Sequence, residues 1–311
     1  MQKGNKIHLS PFFFLALINK RLLSGYFYII PAILLVFVLL YFPLFHGIRL
    51  SFFNYKVTEL EPGARFVGFE NYFDLPYDPT FLIALRNTLL FVAGGPTLSI
   101  LGGILLGILL TQEFKLSKAL RAIVLIPWIL PDMVVGLQWA WMLQSQYGIV
   151  NEILLNFGLM KERFGWLASM ETAAPMLLLI FVWKFFPIVA LMVYSSIISI
   201  PTEIFEASVV DGASPLKKFL YITLPMIRPS LIVVFLLLSV WFANNFTIVF
   251  VTTGGGPANS SELLTTYLYK LAFAFFRLSY AATVSTINFL ILLAFSLLYV
   301  YTFRNVLRGP K

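Results

Sequence analysis

The chain has no cysteine, and histidine occurs only twice, at His8 and His46. The first absence excludes disulfides and thiolate chemistry and leaves the redox compartment undetermined. The two imidazoles are isolated in the sequence, which argues against a metal site built on them. Charge is also scarce: 12% of the 311 residues are charged, whereas 59% are hydrophobic. Soluble domains carry about 25% charged and about 45–50% apolar residues, so the composition is that of an integral membrane protein. The net charge of +8 does not point to nucleic acid, because the basic residues are scattered between apolar runs, as in basic loops at a membrane surface. No nucleophile–base pair or cluster of metal ligands stands out, so an enzyme reading finds no residues to rest on. A phosphate-binding loop of the form G-x-x-x-x-G-K-[ST] is missing too. Gly212 to Lys217 lacks its Gly-Lys-Ser/Thr ending, and Gly254-Gly255-Gly256 reads as a turn.

What is present is a series of long apolar runs. Stretches of about 20 apolar residues read as membrane-spanning helices, and six are found: 26–48, 86–111, 119–143, 173–197, 229–252 and 281–303. The fold class is therefore all-α, a polytopic membrane protein. Phe12 to Ile18 is too short to cross. Lys20, Arg21 and a full-length helix follow it with no convincing cleavage site, so residues 1–25 read as a cytoplasmic or interfacial lead-in to an uncleaved first span. Orientation follows the basic residues. Lys3, Lys6, Lys20 and Arg21 precede the first span. Lys115, Lys118 and Arg121 lie between the second and third, and Lys217, Lys218 and Arg228 between the fourth and fifth. Arg304, Arg308 and Lys311 follow the last. These four faces outweigh the opposite side, which places both termini in the cytoplasm.

One segment on that side carries more than a loop needs. Residues 201–228, and within them Glu206 to Pro225, lie between two spans yet hold Ile204, Phe205, Val209, Leu216, Phe219 and Leu220. The local chemistry predicts two short helices with a bend. Pro201 stops the fourth span, Thr202 caps the next helix and Glu203 suits its positive end. Gly212 supplies the left-handed residue that ends it. Ser214 and Pro215 start the second helix, and Pro225 and Pro229 close the segment before the fifth span. Such a hairpin either lies on the lipid surface or docks on a partner.

Glu206, Ala207, Ser208, Gly212, Ile222, Leu224 and Pro225 keep the spacing Glu-Ala-Ala, three residues, Gly, nine residues, Ile-x-Leu-Pro. This resembles the permease subunits of binding-protein-dependent ABC importers, with Ser208 as a small departure from the second Ala. VGFENY (67–72), LRNTL (85–89), IPWILP (126–131), YGIVN (147–151) and TGGGP (253–257) resemble the carbohydrate-uptake branch of maltose, glycerol 3-phosphate and multiple-sugar type, and extend the likeness over nearly the whole chain. The resemblance implies that residues 26–311 form a permease domain and that Glu206–Pro225 is a coupling helix seated in a cytoplasmic ATPase. Glu206 would make a polar contact to the ATPase and Gly212 the obligatory bend. Ala207, Ser208 and Ala213 would be close-packing positions, and Leu224 and Pro225 end the motif. Asp211 is either a contact or a solvated helix end. ATP and Mg would bind the separate ATPase, present in two copies, with no cofactor on this chain. A second permease subunit, a different chain by this branch, and an extracytoplasmic solute-binding protein would complete a complex in a prokaryotic cell membrane.

Polar and aromatic residues inside the spans are the candidates for a substrate path. Asn244 and Asn245 near Trp241 offer amides to sugar hydroxyls and an indole face to a sugar ring; the alternative is hydrogen bonding between helices. The resemblance favours Asn245 as a pore contact. Trp183 and Lys184 lie mid-way along the fourth span, where Lys184 either touches substrate, snorkels or pairs. Asp132 follows Pro131 in the third span, where Pro127 and Pro131 loosen the helix. It serves freed backbone groups, meets a water-filled cavity, or relays protons. The last is the hallmark of a self-contained secondary carrier, the alternative to the importer. Gly103 and Gly107 form a GxxxG packing pair.

Overall fold

The computed structural model describes residues 28–55, 65–112 and 115–307. The lead-in at 1–25 lies outside the described residues.

Among the described residues, all regular structure is helical apart from a two-residue antiparallel pair, β1 (Phe53–Asn54) with β2 (Arg65–Phe66). Among the described residues, five helices are long and apolar enough to cross a membrane: α1 (Tyr28–Leu50), α2 (Pro79–Thr111), α6 (Ala173–Ile198), α8 (Pro215–Asn244) and α11 (Leu278–Leu307). A sixth crossing is divided between α3 (Ser117–Ile129) and α4 (Asp132–Met142), which meet at 91°. Short helices α5 (Ile149–Asn156), α7 (Thr202–Val210), α9 (Thr247–Thr252) and α10 (Leu264–Tyr269) fill the connections.

The expected spans hold at α1, α6 and α11 and shift elsewhere. The second begins at Pro79, not 86, because Asp78 accepts from the N–H groups of Thr80 and Phe81 at 3.0 and 3.1 Å and Pro79 occupies the first helical position. The third is not continuous: Leu130 and Pro131 are extended, with ψ of 136° and 141°, and Leu130 is so as the residue before a proline prefers. The fifth is displaced. Pro225 and Pro229 do not stop a helix, and α8 runs through both from Pro215. A π-helical turn at Phe219–Thr223 comes just before Pro225, and its wider bonding pattern takes up the distortion a proline ring imposes. α8 ends at Asn244, and α9 is a separate helix.

The α2–α6 contact forms the centre of the bundle. A Cβ at Gly103 would come within 2.5 Å of Val189, and one at Gly107 within 2.6 Å of Val193. The GxxxG pair is thus the place where the two backbones approach. Phe91, Phe181, Phe185 and Phe242 continue this core, and Ser239 on α8 donates to the carbonyl of Val92 on α2 at 3.0 Å. A second core joins Phe81 and Ala84 to Leu264, Tyr267, Tyr280 and Val284. α1 packs on α11 and leaves its apolar side chains exposed, as suits a helix facing lipid.

Candidate functional site

Two interruptions, one between α3 and α4 and one between α8 and α9, face each other around a cavity of about 540 Å³. Its wall includes Trp128, Asp132, Phe185, Trp241, Asn244 and Asn245. The breaks leave backbone groups without helical partners, and the polar side chains here serve them. Lys184 on α6 is only 4% exposed. Its ammonium donates to the carbonyl oxygens of Leu130 and Trp128 at 2.5 and 3.5 Å, at the carboxyl end of α3 where a cation is favoured. It also meets Asp132 Oδ1 at 3.0 Å. Asp132 occupies the first turn of α4, where a carboxylate is favoured. Its other oxygen accepts from the Asn245 amide at 2.8 Å, and the Asn245 carbonyl accepts from Ile248 N–H at 3.1 Å, at the start of α9. One chain of contacts, Lys184–Asp132–Asn245, therefore holds both interruptions.

The residues expected on the substrate path separate here. Asn244, Asn245, Trp241 and Lys184 come together at the cavity, and Trp183 does not line it. Its indole lies edge-on to Trp139, with ring centroids 5.3 Å apart and planes at 79°. The Asn244 amide folds back to the carbonyl of Val240 at 2.9 Å, whereas Trp241 packs on Phe185. Trp128, Phe185 and Thr247 escaped the sequence reading, although Trp128 between Pro127 and Pro131 is a signal for an aromatic ring at a break.

The amphipathic segment has the bend its sequence calls for. Gly212 has φ +68°, its N–H bonds to the carbonyl of Val209 at 3.0 Å, and Ala213 N–H bonds to that of Ser208 at 2.9 Å. These are the two bonds of a Schellman helix end. Ser214 Oγ accepts from Lys217 N–H at 3.4 Å and starts the next helix. Thr202 is the exception: it is the first residue of α7 and forms no side-chain cap, because Pro201 takes the flanking position. Ser208 is the buried residue of α7, and its hydroxyl turns back to the carbonyl of Phe205 at 2.6 Å. The extra oxygen relative to alanine is satisfied within the helix. Glu206, Ala207 and Asp211 are exposed, Ala213 and Leu224 are partly covered, and Pro225 is exposed. Apolar side chains stand out beside them, with Val210 88% and Tyr221 77% exposed.

At the opposite end, Gly254 and Gly255 have φ of +58° and +85°, so the Gly-rich run is a turn. A Cβ at Gly255 would lie 2.2 Å from a carboxylate oxygen of Glu262. Glu262 is fully buried and paired with Lys270. The Asn87 amide donates to the carbonyls of Ser260 and Glu262 at 2.8 and 3.0 Å, tying this turn to α2. Nothing in the sequence singled out Glu262, and Asn87 stood out only as part of LRNTL (85–89). Among the described residues, no three or more His, Asp or Glu side chains are grouped to hold a metal ion.

Broken spans around a polar cavity, joined to a helix-turn segment with exposed apolar residues, define a membrane transport component. Comparison with known proteins gives the family: residues 99–306 match the binding-protein-dependent transport system inner membrane component, and the chain belongs to it. It is a multi-pass inner-membrane protein of prokaryotic type and a non-catalytic permease subunit of an ABC importer, which works with a cytoplasmic ATPase. Among its relatives is the sulfoquinovosyl glycerol transport system permease protein SmoG of Agrobacterium fabrum, 31% identical over 88% of this chain and 88% of that protein. The trehalose/maltose transport system permease protein MalF of Thermococcus litoralis is 30% identical over 89% of this chain and 92% of its own. A chain of a bacterial alginate ABC transporter, solved with its periplasmic protein, shares the fold with a TM-score of 0.79 at 22% identity, over 94% of this chain and 98% of that one.

Proposed function

We propose that this chain forms half of the translocation path of an ATP-driven sugar importer, with the cavity at the double interruption as its share of the substrate path. The observation that carries the reading is the meeting of Asn244, Asn245 and the rings of Trp128 and Trp241 around about 540 Å³. Amides exchange hydrogen bonds with hydroxyl groups and indoles stack on the apolar faces of sugar rings. Two of the relatives, named for sulfoquinovosyl glycerol and for trehalose/maltose, support a carbohydrate substrate.

Residues 201–228 then form the coupling segment, on the cytoplasmic side where the basic residues place both termini. Glu206 and Asp211 offer polar contacts to the ATPase, and Val209, Val210 and Leu216 offer apolar surface. The fixed turn at Gly212 suits a lever, because a flexible loop dissipates the displacement that ATP-driven closure supplies. The complex would contain two ATPase copies carrying ATP and Mg, a second and different permease chain, and an extracytoplasmic sugar-binding protein. The surrounding solvent is membrane lipid. A self-contained carrier would need Asp132 to exchange protons, and its ties to Lys184 and Asn245 weigh against that.

The test is purification of the tagged chain from native membranes in mild detergent, beside Gly212→Pro. An ATPase that accompanies the wild type and is lost or uncoupled in the variant supports the reading. A chain that moves solute alone in vesicles, with no ATPase in any detergent, would overturn it.

A further inference from the structure

The charges at the cavity are arranged asymmetrically, and the asymmetry selects among substrates. An ammonium has three hydrogens to donate. Those of Lys184 are matched by Asp132 Oδ1, the Leu130 carbonyl and the Trp128 carbonyl, at 3.0, 2.5 and 3.5 Å. The side chain is 5% exposed, whereas that of Asp132 is 35% exposed. The cation is thus enclosed and saturated, and the carboxylate fronts the cavity. A carboxylate has about four acceptor positions, and two of those on Asp132 are taken, by Lys184 and Asn245. The remainder are free to accept. No other acidic or basic side chain lines the cavity among the described residues.

We infer that Asp132 is a specificity-determining residue, which accepts hydroxyl hydrogens from a neutral polyhydroxylated solute and excludes anionic sugars such as phosphates and uronates. The inference rests on the sugar-import reading and narrows it. A hydroxyl donor finds a charged acceptor here, which forms a stronger bond than a neutral one. A phosphate or carboxylate meets the exposed, negative end of the Asp132–Lys184 pair, with no free cation from this chain to balance it. Lys184 is a positioning residue: it holds the carboxylate in place from behind, and with its three hydrogens taken it has none to offer the solute.

The experiment is equilibrium titration of the purified complex of this chain with its partner permease and ATPase, followed by tryptophan quenching, since Trp128 and Trp241 line the cavity. The neutral probes are glycerol, glucose, trehalose, maltose and raffinose. The anionic probes are glycerol 3-phosphate, glucose 6-phosphate, glucuronate and trehalose 6-phosphate. The best neutral probe should bind at least about tenfold more tightly than its anionic counterpart. Asp132→Asn alone leaves Lys184 buried without its counter-charge and is prone to misfold. The decisive variant is therefore Asp132→Asn with Lys184→Met, which removes both charges. It should bind the neutral probe more weakly and discriminate less than threefold. An anionic probe bound equally well by the wild type, or tenfold discrimination surviving in the double variant, would overturn the role of Asp132 and leave sugar import standing. No binding of any sugar by the folded complex would remove both.

Discussion

Asn245 and Asp132 meet side chain to side chain at 2.8 Å across 113 residues of sequence, and the same amide holds the start of α9 through Ile248. One residue thereby couples the interruption of the third span to that of the fifth. Asn244, its neighbour, spends its amide on Val240 within its own helix.

The two asparagines should therefore respond differently to truncation. Asn245→Ala removes a hydrogen bond to a charged acceptor, worth about 1.5–3 kcal/mol, and should lower both thermal stability and transport. Asn244→Ala should cost under about 0.5 kcal/mol, as for substitutions outside a buried network, and affect transport alone. Thermal unfolding in detergent, paired with uptake by vesicles, separates the two.

At Gly212 the constraint is conformational rather than steric. A Cβ there meets nothing within 4 Å, yet φ is +68°. A left-handed residue other than glycine costs about 1–2 kcal/mol, and asparagine tolerates it best. Coupled ATPase activity should fall in the order Gly212, Asn, Ala, Val. Equal activity for Asn and Val would show that the left-handed turn does not matter.

Gly103 and Gly107 present the opposite case, in which space decides. A Cβ at Gly103 would meet Val189 side-chain atoms at 2.5 and 2.6 Å with the nearest backbone, the Ala190 nitrogen, at 3.1 Å, whereas at Gly107 the Ala190 carbonyl oxygen lies closer, at 2.9 Å. Overpacking of this kind costs about 1–3 kcal/mol. Gly103→Ala should be relieved by Val189→Gly, which removes both clashing atoms, whereas Gly107→Ala should resist rescue by Val193→Gly because backbone stands in the way. Melting temperatures of the single and paired variants test this.

The Tyr267 hydroxyl donates to Asp78, the residue that caps α2. Burial, and then the hydrogen bond and charge of Asp78, push the pKa of this phenol well above its ordinary range. A raised folded value means that the phenol's contribution is complete below about pH 10, the unfolded value, and is lost as pH rises beyond it. Above that point stability should fall by up to about 1.4 kcal/mol per pH unit on account of this one proton. Tyr267→Phe should be less stable at pH 7 and have a shallower alkaline slope. Identical slopes in an alkaline melting series would contradict this assignment.

Much of the architecture was legible because each apolar run carries its own evidence, as α1, α6 and α11 illustrate. The break at Leu130 was foreshadowed by Pro127 and Pro131. The break after Asn244 was not, because an asparagine that leaves a helix to bond a carboxylate far away in sequence looks like any other asparagine. Pro225 and Pro229 misled for the converse reason: a π-helical turn lets a helix pass prolines that local rules treat as stops. Lys184 was visible as an anomaly, and its role was not, since Asp132 comes beside it only through the packing of α6 against the α3–α4 bend. Glu262 lay hidden in a polar-looking loop, where only burial and Lys270 give it meaning.

Site-specific cross-linking tests the central claim most directly, and the lack of native cysteine makes it clean. A photoactivatable maleimide is attached to Val210→Cys on the coupling segment or to Tyr147→Cys near the opposite end of the bundle, both exposed positions. After illumination in native membranes, Val210→Cys should yield an adduct with an ATPase and Tyr147→Cys should not. ATPase adducts at Tyr147 and none at Val210 would contradict both the orientation and the coupling role of Glu206–Pro225.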